Sequence, residues 1–167
     1  MKNYHIAQIN IGRIRAPLDS ATMAGFMGRL DELNAVADSS AGFVWRLQTN
    51  EGNATYFRPY PEDDRILLNM SVWETIEALR NYVYHTTHAE LLRQRHEWFE
   101  KLAGVYVALW WVPAGHRPSI DEAKKRLASL EQHGPTEFAF TFKTIFQPDE
   151  KFQEGIDWSS FLPCPAV

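Results

Sequence analysis

Apolar and polar residues alternate from His5 to Ile14. Ala7, Ile9 and Ile11 fall on one side and Gln8 and Asn10 on the other, the period of a half-buried strand. Pro17, Asp19 and Ser20 then form a turn, and the period lengthens. Met23, Phe26, Met27, Leu30, Leu33, Asn34 and Ala37 recur at helical spacing and predict one helix over 21–37, stopped by Ser39-Ser40-Ala41-Gly42. Alternation returns over Phe43 to Gln48, followed by the turn residues Asn50-Glu51-Gly52-Asn53 and a short return strand over 54–58. Arg65 to Trp73 is the clearest strand. Glu74 to Tyr84 and His85 to Phe99 read as helices broken near Tyr84-His85-Thr86-Thr87, and Val105 to Val112 as a strand with Trp110 and Trp111 on opposite faces.

The order β-α-β-β-α-β predicts an α+β fold, a ferredoxin-like split βαβ arrangement with an antiparallel sheet. Its helices would lie on one face, so the other face needs a cover. A second copy of the sheet would supply it, which predicts a homodimer. Beyond Pro113, Ser119 caps a third helix to about Gln132, with Glu122 placed for a capping box. Phe138 to Phe142 reads as a further strand. The expected domain is therefore 1–146, a barrel-type unit with a helix–strand extension. Residues 147–167 form an irregular tail that docks through Trp158, Phe161 and Leu162.

Composition narrows the function. The chain has 167 residues with a net charge of −4 and no Lys/Arg run, which argues against a nucleic-acid surface. No apolar stretch is long enough to span a bilayer, and Met1 to Gly12 lacks the apolar centre of a signal peptide. The single cysteine, Cys164, lies between two prolines, is read as incidental, and is compatible with a reducing, cytoplasmic setting. What is unusual is the aromatic content of 13%, with six Trp. A core alone is built mostly from Leu, Ile and Val, so part of this excess points to a wall for a flat, apolar ligand.

The residues that carry chemistry gather around that wall. His85 and His88 are three apart and neighbours on a continuous helix, and either can move a proton near neutral pH. Trp45, Trp73, Trp98 and Tyr82 would line the pocket, or simply fill the space between helix and sheet. Asn10, Asn69 and Arg46 are polar positions inside apolar strands, where they must be bonded or face a cavity. His116 reads as a solvated or capping residue. Phosphate-loop, dinucleotide, C-x-x-C and nucleophile-elbow motifs are absent from the sequence, and the His pattern carries little metal signal.

The segments Ala7-Gln8-Ile9-Asn10-Ile11-Gly12-Arg13, Gly42-Phe43-Val44-Trp45-Arg46-Leu47, Ser71-Val72-Trp73-Glu74 and Trp110-Trp111-Val112-Pro113-Ala114-Gly115-His116 together resemble a bacterial domain-of-unknown-function family, number 3291. The strand ending in Trp73-Glu74, the helix after it and the His that follows resemble the wider dimeric α+β barrel superfamily. That superfamily includes antibiotic-biosynthesis monooxygenases and haem-degrading monooxygenases. The resemblance implies a homodimeric barrel and a monooxygenase-like enzyme without a cofactor, acting on an aromatic or apolar substrate. Catalysis would fall to His88, His85 and Asn10, and substrate contacts to Trp73, Asn69, Trp45, Arg46, Trp98 and Tyr82. The haem-degrading branch implies an alternative: haem with His88 or His85 as axial ligand, and Asn10, Trp73 and His88 as the matching trio. A non-catalytic ligand-binding dimer is the reading from a different class.

Overall fold

Strands β1 (Tyr4–Arg13), β2 (Phe43–Arg46), β3 (Ile66–Trp73) and β4 (Val107–Pro113) form one antiparallel sheet ordered β2-β3-β1-β4 in a computed structural model that describes residues 3–161. The alternation seen in the sequence sets the two faces. Ile6, Gln8, Asn10 and Gly12 of β1 stand opposite Trp73, Ser71, Asn69 and Leu67 of β3; Ala7, Ile9 and Ile11 stand opposite Val72, Met70 and Leu68 on the other face. The result is an α+β fold with a four-stranded antiparallel sheet and several helices.

Helices α1 (Ala24–Met27), α2 (Leu30–Ser39), α3 (Ile76–His85) and α4 (His88–Gln94) cover the face that carries Asn10. The single helix expected over 21–37 is thus two. Glycines at 25 and 28 lower helix propensity there, and a Cβ on Gly25 would press on the Trp98 ring at 3.3 Å. The break expected between α3 and α4 is present. Thr75 caps α3 through its side chain, and the Thr86 hydroxyl donates to the Tyr82 carbonyl at 2.6 Å, closing the last turn.

Helix α5 (Ile120–His133) lies across the opposite face, where Ala123, Leu127 and Leu130 pack on Ala7, Ile9, Met70, Val72 and Ala108. The cover that the sequence reading assigned to a second copy of the sheet therefore comes from the same chain. Trp110 and Trp111, on opposite faces of β4, are both buried. The Ser119 hydroxyl accepts from the Glu122 backbone N–H at 3.1 Å, capping α5, but Glu122 does not complete a capping box. Its fully buried carboxylate instead accepts from Trp110 Nε1 at 2.8 Å and from His116 Nε2 at 2.6 Å. His116 is therefore a bonded residue, held edge-on against Trp158 at 4.8 Å.

Arg126 completes this node. It is 0% exposed, its Nη2 lies 3.5 Å from Glu122 Oε1, its Nη1 donates to the Phe138 carbonyl at 2.7 Å, and its guanidinium carbon sits 3.9 Å above the Phe138 ring. Burial pushes its pKa down to about 10, against the pull of Glu122. Short helix α6 (Glu150–Glu154) and the turn at Trp158–Ser160 bring Trp158 over the same guanidinium.

Two expected strands do not form. Residues 54–58 belong to an irregular connection, closed at its start by the Thr49 N–H donating to the Asn53 carbonyl at 2.8 Å. The strand expected over Phe138–Phe142 is a single bridge, in which Phe140 and Leu109 exchange two backbone bonds of 2.8 Å. The ladder cannot extend, because the Phe138 carbonyl is taken by Arg126 and the Ala139 carbonyl by Thr136 N–H. Cys164 and Leu162 lie outside the described residues. Among the described residues, no helix is long and apolar enough to cross a membrane.

Candidate functional site

The face bearing Asn10 is only partly closed by its helices. Two cavities remain between sheet and helices, of about 130 and about 540 Å³, and they meet at Asn10, Asn69, Tyr82, His88, Leu92 and Arg95. The smaller runs under α1, α2 and the 47–65 connection; the larger opens past β4 and residues 141–143.

The floor is polar because the sheet sequence is polar there. Asn10 and Asn69 are register partners across β1 and β3, and Asn69 is exposed. Gln8 Nε2 donates to Asn69 Oδ1 at 2.9 Å and to Ser71 Oγ at 3.3 Å, while Trp73 Nε1 donates to the same hydroxyl at 2.9 Å. Among the described residues, the Asn10 carboxamide makes no hydrogen bond and the Asn69 amide donors are unengaged. Unsatisfied donors in a cavity are the convergent polar groups that a ligand site needs. Close approach at Gly12, where a Cβ would meet the Phe99 ring at 2.7 Å, shuts one end of the floor.

The roof follows from the break between α3 and α4. Starting a new helix at His88 turns its ring under Tyr82, with centroids 4.9 Å apart, and Tyr82 in turn stacks on Trp73 at 5.0 Å and 26°. His88 Nδ1 donates to the Val83 carbonyl at 3.2 Å, which fixes the tautomer and makes Nε2 the acceptor. Nε2 has no partner among the described residues. Burial pushes the His88 pKa below its ordinary value, with the Val83 bond opposing, so the ring is neutral near pH 7. Burial likewise pushes the Tyr82 phenol up to about 12, keeping it protonated.

The model of the family described as Domain of unknown function (DUF3291) matches residues 5–155. The chain belongs to that family. No curated protein matches this member of DUF3291. Among solved structures, it is similar to the NE2512 protein of unknown function from Nitrosomonas europaea. The two share 9% identity and a TM-score of 0.44, over 71% of this chain and 99% of the other.

In this DUF3291 chain the residues singled out from sequence are not all brought together. Asn10, Asn69, Tyr82 and His88 share the cleft. Trp73 stands behind Tyr82, fully buried and off the cavity surface. Trp45 pairs with Val72 and so faces the α5 side of the sheet. Trp98 packs with Phe26 and Met23 in a separate cluster under α1. Arg46 is a strut: Nε and Nη2 donate to Asp38 at 2.7 and 3.1 Å, and Nη1 donates to the Gly52 carbonyl at 2.7 Å. His85 ends α3 in an exposed position outside both cavities. The sequence reading missed Arg95 and Tyr106. Arg95 lies seven residues after His88, two helical turns on, and that spacing was the available signal.

Proposed function

We propose that the protein binds an aromatic or apolar small molecule in this cleft and acts on it as a cofactor-independent, oxygenase-like enzyme. The observation that carries the reading is the free Nε2 of neutral His88 beside the unengaged amides of Asn10 and Asn69. His88 takes a phenolic or activated C–H proton from the substrate. Asn10 and Asn69 donate to the oxyanion that develops, and the half-buried aromatic roof limits water. The electron-rich anion then reduces oxygen. In balance, an activated ring CH₂ plus O₂ gives a ring carbonyl plus water, both electron pairs coming from the substrate.

The antiparallel order β2-β3-β1-β4, with helices carrying both crossovers, supports a ferredoxin-like reading and kinship with the dimeric α+β barrel superfamily. The homodimer implied by that kinship belongs to the same proposal. The haem alternative fits poorly. The Trp73 indole is sealed, with its nitrogen on Ser71 and its face on Tyr82, so it cannot meet a porphyrin, and His85 points away from the cavities.

The test is oxygen uptake with quinol-type substrates carrying an activated methylene. Turnover that falls by about 10²–10⁴-fold in His88→Ala and survives in His85→Ala supports the assignment. Turnover indifferent to His88 would overturn it.

A further inference from the structure

We infer that the molecule this cleft takes is an anion, an aromatic or apolar acid whose carboxylate sits on Arg95. The inference rests on the binding reading above and names its ligand class. Arg95 stands where the two cavities meet, and no acidic side chain lines either one. Elsewhere half-buried Arg29 donates to Gln94 Oε1 at 2.7 Å, and four other arginines carry counter-charges: Arg13 has Asp63 and Glu100, Arg65 has Glu100, Arg46 has Asp38 and Arg126 has Glu122. Arg95 has none among the described residues. Its recorded side-chain contact is the Tyr106 ring, 4.8 Å below the guanidinium carbon. A guanidinium held over a ring keeps N–H groups for a two-pronged bond to a carboxylate. Lys143 adds a second cation to the wall of the larger cavity, which Tyr82, Tyr84, Tyr106 and Phe142 also line with aromatic surface for an apolar body. An acid held this way would be oriented with its ring toward His88 Nε2.

Calorimetric titration with cinnamate and with methyl cinnamate separates the possibilities. Wild-type protein is expected to bind the acid at least about tenfold tighter than the ester, the scale of one charge-assisted bond. That preference should shrink as salt rises. It should vanish in Arg95→Gln with ester affinity unchanged, and diminish in Lys143→Gln. An ester bound as tightly as the acid by wild-type protein overturns the inference while leaving the apolar pocket standing. Failure of both probes to bind overturns the pocket as well. The wild-type ratio decides even if Arg95→Gln does not fold.

Discussion

On one face of the sheet Ala7, Ile9 and Ile11 meet the apolar side of α5, and the charged pair Glu122 and Arg126 is sealed from solvent, with Arg126 Nε and Nη2 left without a hydrogen-bond partner. On the other face Asn10 and Asn69 stand opposite each other with open space above them, and His88, Asn10 and Arg95 each keep bonding capacity that the protein does not use. The same alternating strands build both. The difference lies in what the chain lays over them. A continuous fourteen-residue helix closes one face with Ala123, Leu127, Leu130 and the Glu122–Arg126 pair, while the short helices α1, α2, α3 and α4, interrupted at Gly28 and Thr86, leave gaps over the other. Packing and an enclosed ion pair hold the closed face together, while the open face leaves bonding capacity where a ligand can reach it.

The strongest way to break this contrast is Glu122→Ala. It strands Arg126 as a buried, uncompensated cation and releases Trp110 and His116. A loss of about 3–5 kcal/mol is expected in urea unfolding, a large share of a domain's total stability. A change below about 1 kcal/mol would show that stability does not reside on the α5 face.

The pH dependence of turnover sharpens the other side. Protonated His88 cannot accept a proton, and burial favours its neutral form. The acid limb of kcat/KM should therefore lie below the ordinary imidazole value of 6.5, with a plateau above it. Stability carries the same sign. Between 6.5 and the lower folded value the unfolded chain binds more protons, so stability falls as pH drops through that window, and His88→Gln removes this contribution. A limb at or above 6.5 would contradict the buried, neutral base.

The smallest effect is predicted for Asn69→Ala. Its side chain is exposed and its one recorded side-chain bond is to Gln8, so melting should move stability by no more than about 0.5 kcal/mol. Turnover should fall at the same time, because a donor to the oxyanion is gone. A large loss of stability would mean that Asn69 is structural.

Strand periodicity made β1, β3 and β4 legible, together with the face each residue takes, and the Ser119 cap marked α5 to within a residue. Asn10 and Asn69 could be singled out because a polar residue inside an apolar strand breaks a local rule. The aromatic residues were less legible. Trp45 and Trp73 look alike in the sequence, yet the bulge between Phe43 and Trp45 and the register with β3 set them on opposite faces. Trp98 follows a turn of 3-10 helix at Arg95–Glu97, and that change of period moves it away from the face a continuous α-helix would give it. The Phe138–Phe142 strand failed for a reason no local pattern holds: an arginine twelve positions earlier takes the carbonyl the ladder needs.

The 47–65 connection supplies Leu47, Asn53, Ala54 and Thr55 to the smaller cavity, and it is anchored at both ends. Leu47 N–H donates to the Met70 carbonyl and the Gly52 carbonyl accepts from Arg46 and Asn34, while Asp63 pairs with Arg13 and the Arg65 carbonyl accepts from the Ile14 N–H. The stretch between those anchors is a faceplate over the cavity. Its length and side chains set the bore of the inner chamber, while the sheet floor and the His88 roof are anchored elsewhere. Loop grafting at this position is thus a route to resizing the accepted ligand without redesigning the scaffold.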